Sequence, residues 1–501
     1  MKKALKGTKP NENLFRHNIF IISKTNKMST DYKNYFKGKK VTQLGLGLLG
    51  RGVGDAAFLL ESGVAELIVT DKKSEIELVT SVLKLKKASS DLGSHNGRLI
   101  FRLGEHNLED FQSRDMVLKA AGTPLDSPFI VEAKKNNIPI EMDSSLFVKL
   151  LPDGVTTIGV TGTRGKSTVT HLINHILKMA GKSVFLGGNV RGVATLPLIK
   201  DVKGGDFVVL ELDSWQLQGF GDSHISPNIA VFTAFMHDHM NYYNNDPHLY
   251  FNDKSNIYLY QNEGGVLIVG EGVAPVVAGK SHGKGKFIIA EKNNVPVEWK
   301  KNIIGEHNLL NISCAIEVCK AVGLNESDIK KGVESFDAVE GRLQIVKEIG
   351  GVKIYNDNNA TTPEATVAAI RALAPQELRN TKYELRNEKP DSKFLNLRSI
   401  ILICGGSDKG LPLKELIEEI GNNCKYVILL PGTGTDKFLG LKTLSSEIIE
   451  VKNLDEAVSE ALKRAKKDDY VLFSPAFASF GMFKNEYERG DQFLEAIERF
   501  K

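Results

Sequence analysis

The segment VTTIGVTGTRGKST, Val155 to Thr168, leaves the backbone little freedom. An apolar run fit for a buried strand passes into a glycine loop and then into a helix. The helix's apolar positions Val169, Leu172, Ile173, Ile176, Leu177 and Ala180 follow the i, i+3, i+4, i+7 spacing of a stripe packed on a sheet. A loop between strand and helix can cradle phosphates on its backbone N–H groups, with Lys166 reaching the β- and γ-phosphates and the Ser167 hydroxyl on Mg²⁺. Val160 stands where the general pattern has a glycine, so the flanking strand and helix carry the assignment.

The same alternation extends in both directions. VTQLGLG, ELIVTD, RLIFRLG and DMVLKAAG form a first block from Lys40; VFLGGN, FVVLEL, IAVFTAF and GGVLIVG continue the second; VKIYND, SIILICGG, KYVILLPG and DYVLFSP make a third. Strand–helix alternation of this kind predicts parallel sheets with crossover helices, an α/β chain. At ~100–200 residues per domain, 501 residues accommodate three. The expected division is a mobile leader at 1–39, with Met28 an alternative start, then domains at 40–148, 149–338 and 339–501. Polar residues 377–398 read as a surface insertion.

Composition excludes several classes. A net charge of +4 argues against nucleic-acid binding by bulk charge, and no run of about 18–20 apolar residues predicts a membrane span. The four cysteines have neither disulfide-framework nor zinc-ligand spacing, which suits a reducing cytoplasm.

The first block carries its own glycine loop, Gly45-Leu46-Gly47-Leu48-Leu49-Gly50, between a strand and a helix, and Asp71 ends the next strand twenty-one residues later. Taken alone this is a dinucleotide fingerprint: glycines admit a diphosphate at a helix N-terminus and the acid meets a ribose hydroxyl. A nicotinamide-linked oxidoreductase fits it, but leaves GTRGKST and the third block without a role.

With GLGLLGRG, GTRGKSTVT, GGNV, ELDSWQL, DHM, GEHNLLN, YNDNNATTPEAT, GGSDKG and SPAFASFGMFKNEYERGDQF in this order, the chain from about Val41 onward resembles the Mur ligases. Within that family it is most similar to members that add D-glutamate to UDP-N-acetylmuramoyl-L-alanine in peptidoglycan precursor synthesis. The resemblance implies a Rossmann-like domain for UDP, a P-loop ATPase domain and a Rossmann-like domain for the amino acid. It implies a monomeric, cytoplasmic, ATP-dependent ligase working through an acyl phosphate, and it reassigns the first loop to the UDP diphosphate.

The resemblance also implies roles residue by residue. ATP would be held by Gly162, Thr163, Arg164, Gly165, Lys166, Ser167, Thr168, Asn308, Asn311, Arg342 and Asp357. Magnesium, as two ions, would be held by Ser167, Glu211, His239 and Lys254, the last as a CO₂-derived carbamate; Lys166, Glu211, His239 and Lys254 would be the catalytic set. A plain ammonium cannot bind a cation, but desolvation can expose the neutral amine to CO₂. The UDP-linked substrate would meet Gly45, Leu48, Leu49, Asp71, Lys72, Gly122, Asn189 and Gln216. The glutamate carboxylate would meet Thr361, Lys409 and Ser479.

Several positions depart from the family pattern. Arg164 replaces Asn and Asp213 replaces Ser, adding opposite charges that could compensate each other. Ala234 and His237 replace Asn and Glu; Asn359 and Gly341 replace Lys and His. Glu486 falls where some members place an aromatic beside the amino acid, which leaves another acceptor such as L-glutamate open. A nucleotide-binding scaffold without turnover is the remaining alternative.

Overall fold

The computed structural model describes residues 32–93, 97–279, 283–374, 399–440 and 446–500. The insertion read at 377–398 and the first 31 residues of the leader lie outside these. The described residues fall into two compact units, one drawn from residues 32–291 with 313–329 and the other from residues 292–312 with 330–500. The described residues are α/β, as expected, with one sheet for each predicted block, two of them parallel and the third parallel but for one edge strand.

In the first unit, β1 (Lys40–Leu44), β2 (Glu66–Asp71), β3 (Arg98–Leu103), β4 (Met116–Lys119) and β5 (Ile140–Glu141) form a parallel sheet of order β3-β2-β1-β4-β5. A second parallel sheet of order β11-β10-β9-β6-β8-β7 contains β6 (Thr156–Thr161), β7 (Val184–Gly188), β8 (Phe207–Glu211), β9 (Ile229–Phe232), β10 (Val266–Gly270) and β11 (Lys286–Ala290). In each sheet the strand before a glycine loop, β1 or β6, has later strands on both sides. Its C-terminal end is therefore a topological switch point, where open α/β sheets bind ligands.

The leader ends earlier than expected. Tyr32–Phe36 is a helix with Phe36 fully buried, and Tyr32 and Phe36 lie 5.4 and 5.7 Å from the Phe58 ring. Its aromatic residues supply the apolar area that holds so short a helix against helix Arg51–Glu61, which carries Phe58.

In the second unit, β12 (Gln344–Ile349), β13 (Val352–Asn356), β14 (Ile400–Gly405), β15 (Cys424–Leu430), β16 (Glu447–Glu450) and β17 (Tyr470–Phe473) make a sheet of order β12-β13-β17-β14-β15-β16. Only β12 is antiparallel to its neighbour, through a turn whose Gly350 and Gly351 have φ of 58° and 81°. Period-two alternation divides β14 between two cores. Ile400, Leu402 and Cys404 pack with helices Pro363–Leu373 and Lys414–Asn423, while Ile401 and Ile403 pack with helices Leu454–Arg464 and Glu486–Glu498. All four cysteines are free and buried. No helix among the described residues is long and apolar enough to cross a membrane.

Candidate active site

The loop after β6 bends through Gly162 at φ +145° and enters helix Lys166–Met179 through Gly165 at φ +87°. A Cβ on Gly162 would stand 2.0 Å from Thr233 Oγ1, so close approach to β9 demands glycine there. Lys166 Nζ donates back to the carbonyls of Gly162 (3.0 Å) and Thr163 (3.4 Å), which keeps the ammonium over the loop. Thr163 and Ser167 are buried beside it.

Three further predicted residues gather at this end of the second sheet. Glu211 closes β8; it is 4 % exposed, and among the described residues its carboxylate has no hydrogen bond or ion pair. A buried carboxylate left so is costly unless a cation joins it. Lys254, 1 % exposed on helix Pro247–Ser255, donates to the Gly162 carbonyl (3.1 Å) and sits 4.7 Å over the Tyr250 ring. Burial, reinforced by the Lys166 ammonium, pushes its pKa well below the usual lysine value. His239, held at φ +56°, lies against Trp215 with ring centroids 4.9 Å apart. Its pKa is lowered by burial and by the Lys166 and Lys254 cations, against the pull of Asp238 and Asp213, so the imidazole is neutral and able to ligate.

These groups fit a hard divalent cation in the character of their donors: the Glu211 oxygens, the Ser167 hydroxyl and a neutral imidazole. Yet no three His, Cys, Asp or Glu residues among the described ones group as a metal site. A magnesium ion would complete its shell with water and phosphate oxygens.

The charge compensation expected of Arg164 and Asp213 is corrected. Arg164 pairs with Asp238 at 2.8 Å, whereas Asp213 caps helix Ser214–Asp222 by accepting the Gln216 N–H at 2.7 Å. Burial pushes the Asp238 carboxyl up, but His239 and Arg164 outweigh it and the pKa falls. Gln216 is corrected with it. Its Oε1 accepts the Asp213 N–H and its Nε2 donates to Ser144 Oγ at 2.9 Å, and at 1 % exposure it completes a capping box rather than facing a substrate.

At the first sheet, Leu48 and Leu49 are exposed on the glycine loop. Asp71 differs from expectation: its Oδ2 accepts the N–H groups of Leu46 (2.9 Å) and Gly47 (3.0 Å), and its Oδ1 that of Lys73 (3.0 Å). Two amides expected to face a diphosphate are thus held by the acid expected to face a ribose, because the end of β2 lies beside the loop after β1. Lys72 is exposed next to it, and Gly122 lies on the exposed turn after β4. Asn189 follows β7, and its Oδ1 accepts from Arg51 at 3.1 Å.

The second unit gathers its own set. Thr361, Lys409 and Ser479 follow the C-terminal ends of β13, β14 and β17, which are neighbours in the sheet. Lys409 Nζ donates to Thr361 Oγ1 at 3.0 Å, and the bridge between Ser407 and Ala478 brings the Ser479 segment to the Lys409 loop. Asn308 and Asn311 are buried in this unit and bond each other at 2.8 Å, with Asn308 Nδ2 donating to the Ile304 carbonyl. Much of their amide capacity is therefore used internally.

Asp357 Oδ1 accepts the Leu343 N–H at 3.0 Å and Oδ2 the Ser474 hydroxyl at 2.8 Å. Burial raises its pKa to about 7, against those two hydrogen bonds and nearby Arg342. A raised carboxyl pKa means the folded chain holds a proton that the unfolded chain has released, so this group's contribution to stability falls as pH rises from about 4 to about 7. Asp357→Asn removes the titration. Its melting temperature relative to the parent should climb across that range, as followed by thermal denaturation at several pH values; a constant difference would contradict the burial argument.

Some residues of these sites escape reasoning from spacing. Tyr250 carries the Lys254 ammonium on its face and lies 3.4 Å from Thr163 Oγ1. Arg489, 1 % exposed, donates to Asn358 Oδ1 (2.7 Å), the Asn358 carbonyl (2.9 Å) and the Phe477 carbonyl (3.2 Å), tying together the loops after β13 and β17. The arginine in ERGDQF was the available signal.

The chain matches known proteins along most of its length. Residues 160–284 match the Mur ligase middle domain and residues 341–477 the Mur ligase glutamate ligase domain. The chain is 30% identical to the UDP-N-acetylmuramoylalanine--D-glutamate ligase of Roseiflexus sp. (strain RS-1), over 92% of this chain and 99% of that one. It is 33% identical to the enzyme of the same name from Borreliella burgdorferi (strain ZS7), over 91% and 96%.

The chain belongs to the Mur ligase family.

Among solved structures, this Mur ligase superposes on UDP-N-acetylmuramate-alanine ligase MurC from Thermotoga maritima with a TM-score of 0.56 at 19% identity, covering 92% of this chain and all of that one. MurF ligase from Thermotoga maritima, in complex with ADP, gives a TM-score of 0.54 at 17% identity, covering 86% and 94%. At these identities the two structures speak for the fold.

Proposed function

We propose that this Mur ligase is an ATP-dependent ligase joining D-glutamate to UDP-N-acetylmuramoyl-L-alanine in peptidoglycan precursor synthesis. The observation that carries the reading is similarity of about 30% identity along nearly the whole chain to ligases of that name. In this reading the UDP-linked substrate is taken by a domain reaching to about residue 148, its start moved back to Tyr32. ATP is taken by 149–338 and the amino acid by 339–501. The enzyme works as a cytoplasmic monomer, in keeping with four buried free thiols.

The reaction brings two anions together. The substrate's alanyl carboxylate attacks the γ-phosphorus, ADP departs, and an acyl phosphate forms. The glutamate amine then attacks the acyl carbon, phosphate leaves, and the nitrogen gives up a proton. Lys166, already over the loop, shifts from its carbonyl partners to the β- and γ-oxygens. The loop amides from Thr163 to Thr168 orient the phosphates, so charge developing in transfer meets donors already in place. Magnesium, held by Ser167, Glu211, His239 and a Lys254 carbamate, would neutralise phosphate charge. Burial favours the neutral form of Lys254, which would add to CO₂ through its nitrogen with loss of a proton, so that the side chain would offer an anionic oxygen in place of a cation. By the resemblance Arg342, Asp357, Asn308 and Asn311 would serve the nucleotide as well, although the last three spend polar atoms on hydrogen bonds within their own unit. Lys409, Thr361 and Ser479 offer a cation and two hydroxyls to the distal carboxylate of the incoming amino acid.

Phosphate release from Mg-ATP, measured with UDP-N-acetylmuramoyl-L-alanine and D-Glu, L-Glu, D-Asp, L-Lys or no amino acid, tests the proposal. Release with D-Glu alone is expected. Release with another member would transfer specificity to Glu486, which opens helix Glu486–Glu498 beside Asn358, while silence with all five would refute the activity.

A further inference from the structure

Lys119 is a buried cation to which the mechanism assigns nothing. It ends β4, is 2 % exposed, and its Nζ donates to the carbonyls of Thr123 (2.8 Å), Ala120 (3.3 Å) and Ala121 (3.4 Å). Three carbonyls of one short turn are thereby drawn inward onto a single ammonium. In a trans peptide the N–H points opposite to the C=O, so the amides of Ala121 and Gly122 are turned the other way, outward. Among the described residues neither of these two N–H groups has a partner, and Gly122 is exposed. The turn is set against the glycine loop: the Ala120 N–H donates to the Leu44 carbonyl at 2.9 Å, and a Cβ on Gly45 would lie 2.9 Å from the Ala120 Cβ.

We infer that Lys119 is a positioning residue for nucleotide recognition: its ammonium gathers the carbonyls of the 120–123 turn so that the Ala121 and Gly122 amides face the acceptor oxygens of the uridine. The inference rests on the first glycine loop being the UDP site. Holding the ammonium in this place has a cost. Burial lowers the Lys119 pKa to about 8, while Asp213 before helix Ser214–Asp222, Asp222 at its end, Asp253 on helix Pro247–Ser255 and Asp143 on helix Asp143–Leu150 hold it up. The folded chain therefore binds this proton less tightly than the unfolded chain, so the lysine subtracts stability below pH 8 and the loss fades as pH rises toward the ordinary lysine value. The turn it organises packs against the first glycine loop, and that placement ties the ammonium to the nucleotide the loop would take.

The test is calorimetric binding of UDP-N-acetylmuramoyl-L-alanine to the full chain and to Lys119→Met at pH 7 and pH 9, with ATP binding and melting temperature measured alongside. At pH 7 the variant should bind the UDP compound about tenfold more weakly, the equivalent of one charge-assisted hydrogen bond, with ATP binding intact and a melting temperature no lower than the parent's. The parent should lose affinity between pH 7 and pH 9 by more than the variant does, a comparison that removes any ionisation of the uracil itself. Equal affinities at pH 7, or an equal pH response in the two proteins, would overturn the inference. Should the variant fail to fold, a parent affinity that does not fall at pH 9 overturns it alone. If the parent binds ATP but not the UDP compound, the reading of the site fails and the inference falls with it.

Discussion

Replacing Lys166 with alanine should lower kcat by about 10³-fold or more while leaving UDP-N-acetylmuramoyl-L-alanine bound as before. The side chain sits on its own loop, bonded to the carbonyls of Gly162 and Thr163, where a transferring phosphate would need a positive charge. It is remote in sequence and in sheet from the Gly45–Gly50 loop, which follows β1 rather than β6. Single-turnover phosphate release reports the chemistry, and titration with the UDP compound reports binding. Loss of both in a variant with an unchanged melting temperature would argue that the two loops serve one site.

Lys254→Ala should be nearly as damaging, about 10²–10³-fold in kcat, the scale for losing a preorganised charge at a transferring phosphate. Here the outcome can be reversed. The lysine lies fully buried over the Tyr250 ring, so alanine leaves a space of side-chain length beside Gly162. Acetate or another short carboxylate entering that space would return an anionic oxygen, and activity should recover in part with its concentration. Lys254→Arg keeps a cation but cannot be converted to a carbamate at neutral pH; it should be inactive and refractory to rescue. Full activity in either variant would remove the carbamate from the mechanism, and activity in the arginine variant alone would show that a cation suffices.

How far the residues disclosed the fold depended on the range of the interaction. The P-loop was legible because strand, glycines and amphipathic helix are contiguous, and each local preference points the same way. The three sheets followed from apolar runs that must be buried on both faces. Strand β12 was not foreseen. QIVKEI is only half-buried, and its mark, the Gly350-Gly351 pair before VKIYN, is a hairpin signal inside a chain otherwise read for crossovers.

At the sites, Thr361 and Lys409 lie within one hydrogen bond of each other. Gln216, Asp71 and Asp213 did not keep their expected roles, because helix caps and neighbouring loops claimed their polar atoms first. Sequence spacing states what a side chain can bond; which donor is nearest is settled only when distant segments meet. Arg489 shows the same limit, since Asn358 lies far behind it in the chain yet accepts two of its hydrogen bonds.

The Asp71 carboxylate, seated on the Leu46 and Gly47 amides, makes the first glycine loop its own template. Without any nucleotide, a loop with four glycines between Gly45 and Gly52 would be expected to wander among many backbone conformations, and a ligand would have to collect it at an entropic cost. An internal anion meets that cost during folding instead. In the proposed reading a nucleotide would arrive at a surface already shaped, with Leu48 and Leu49 displayed, and more of its contact energy would remain as affinity.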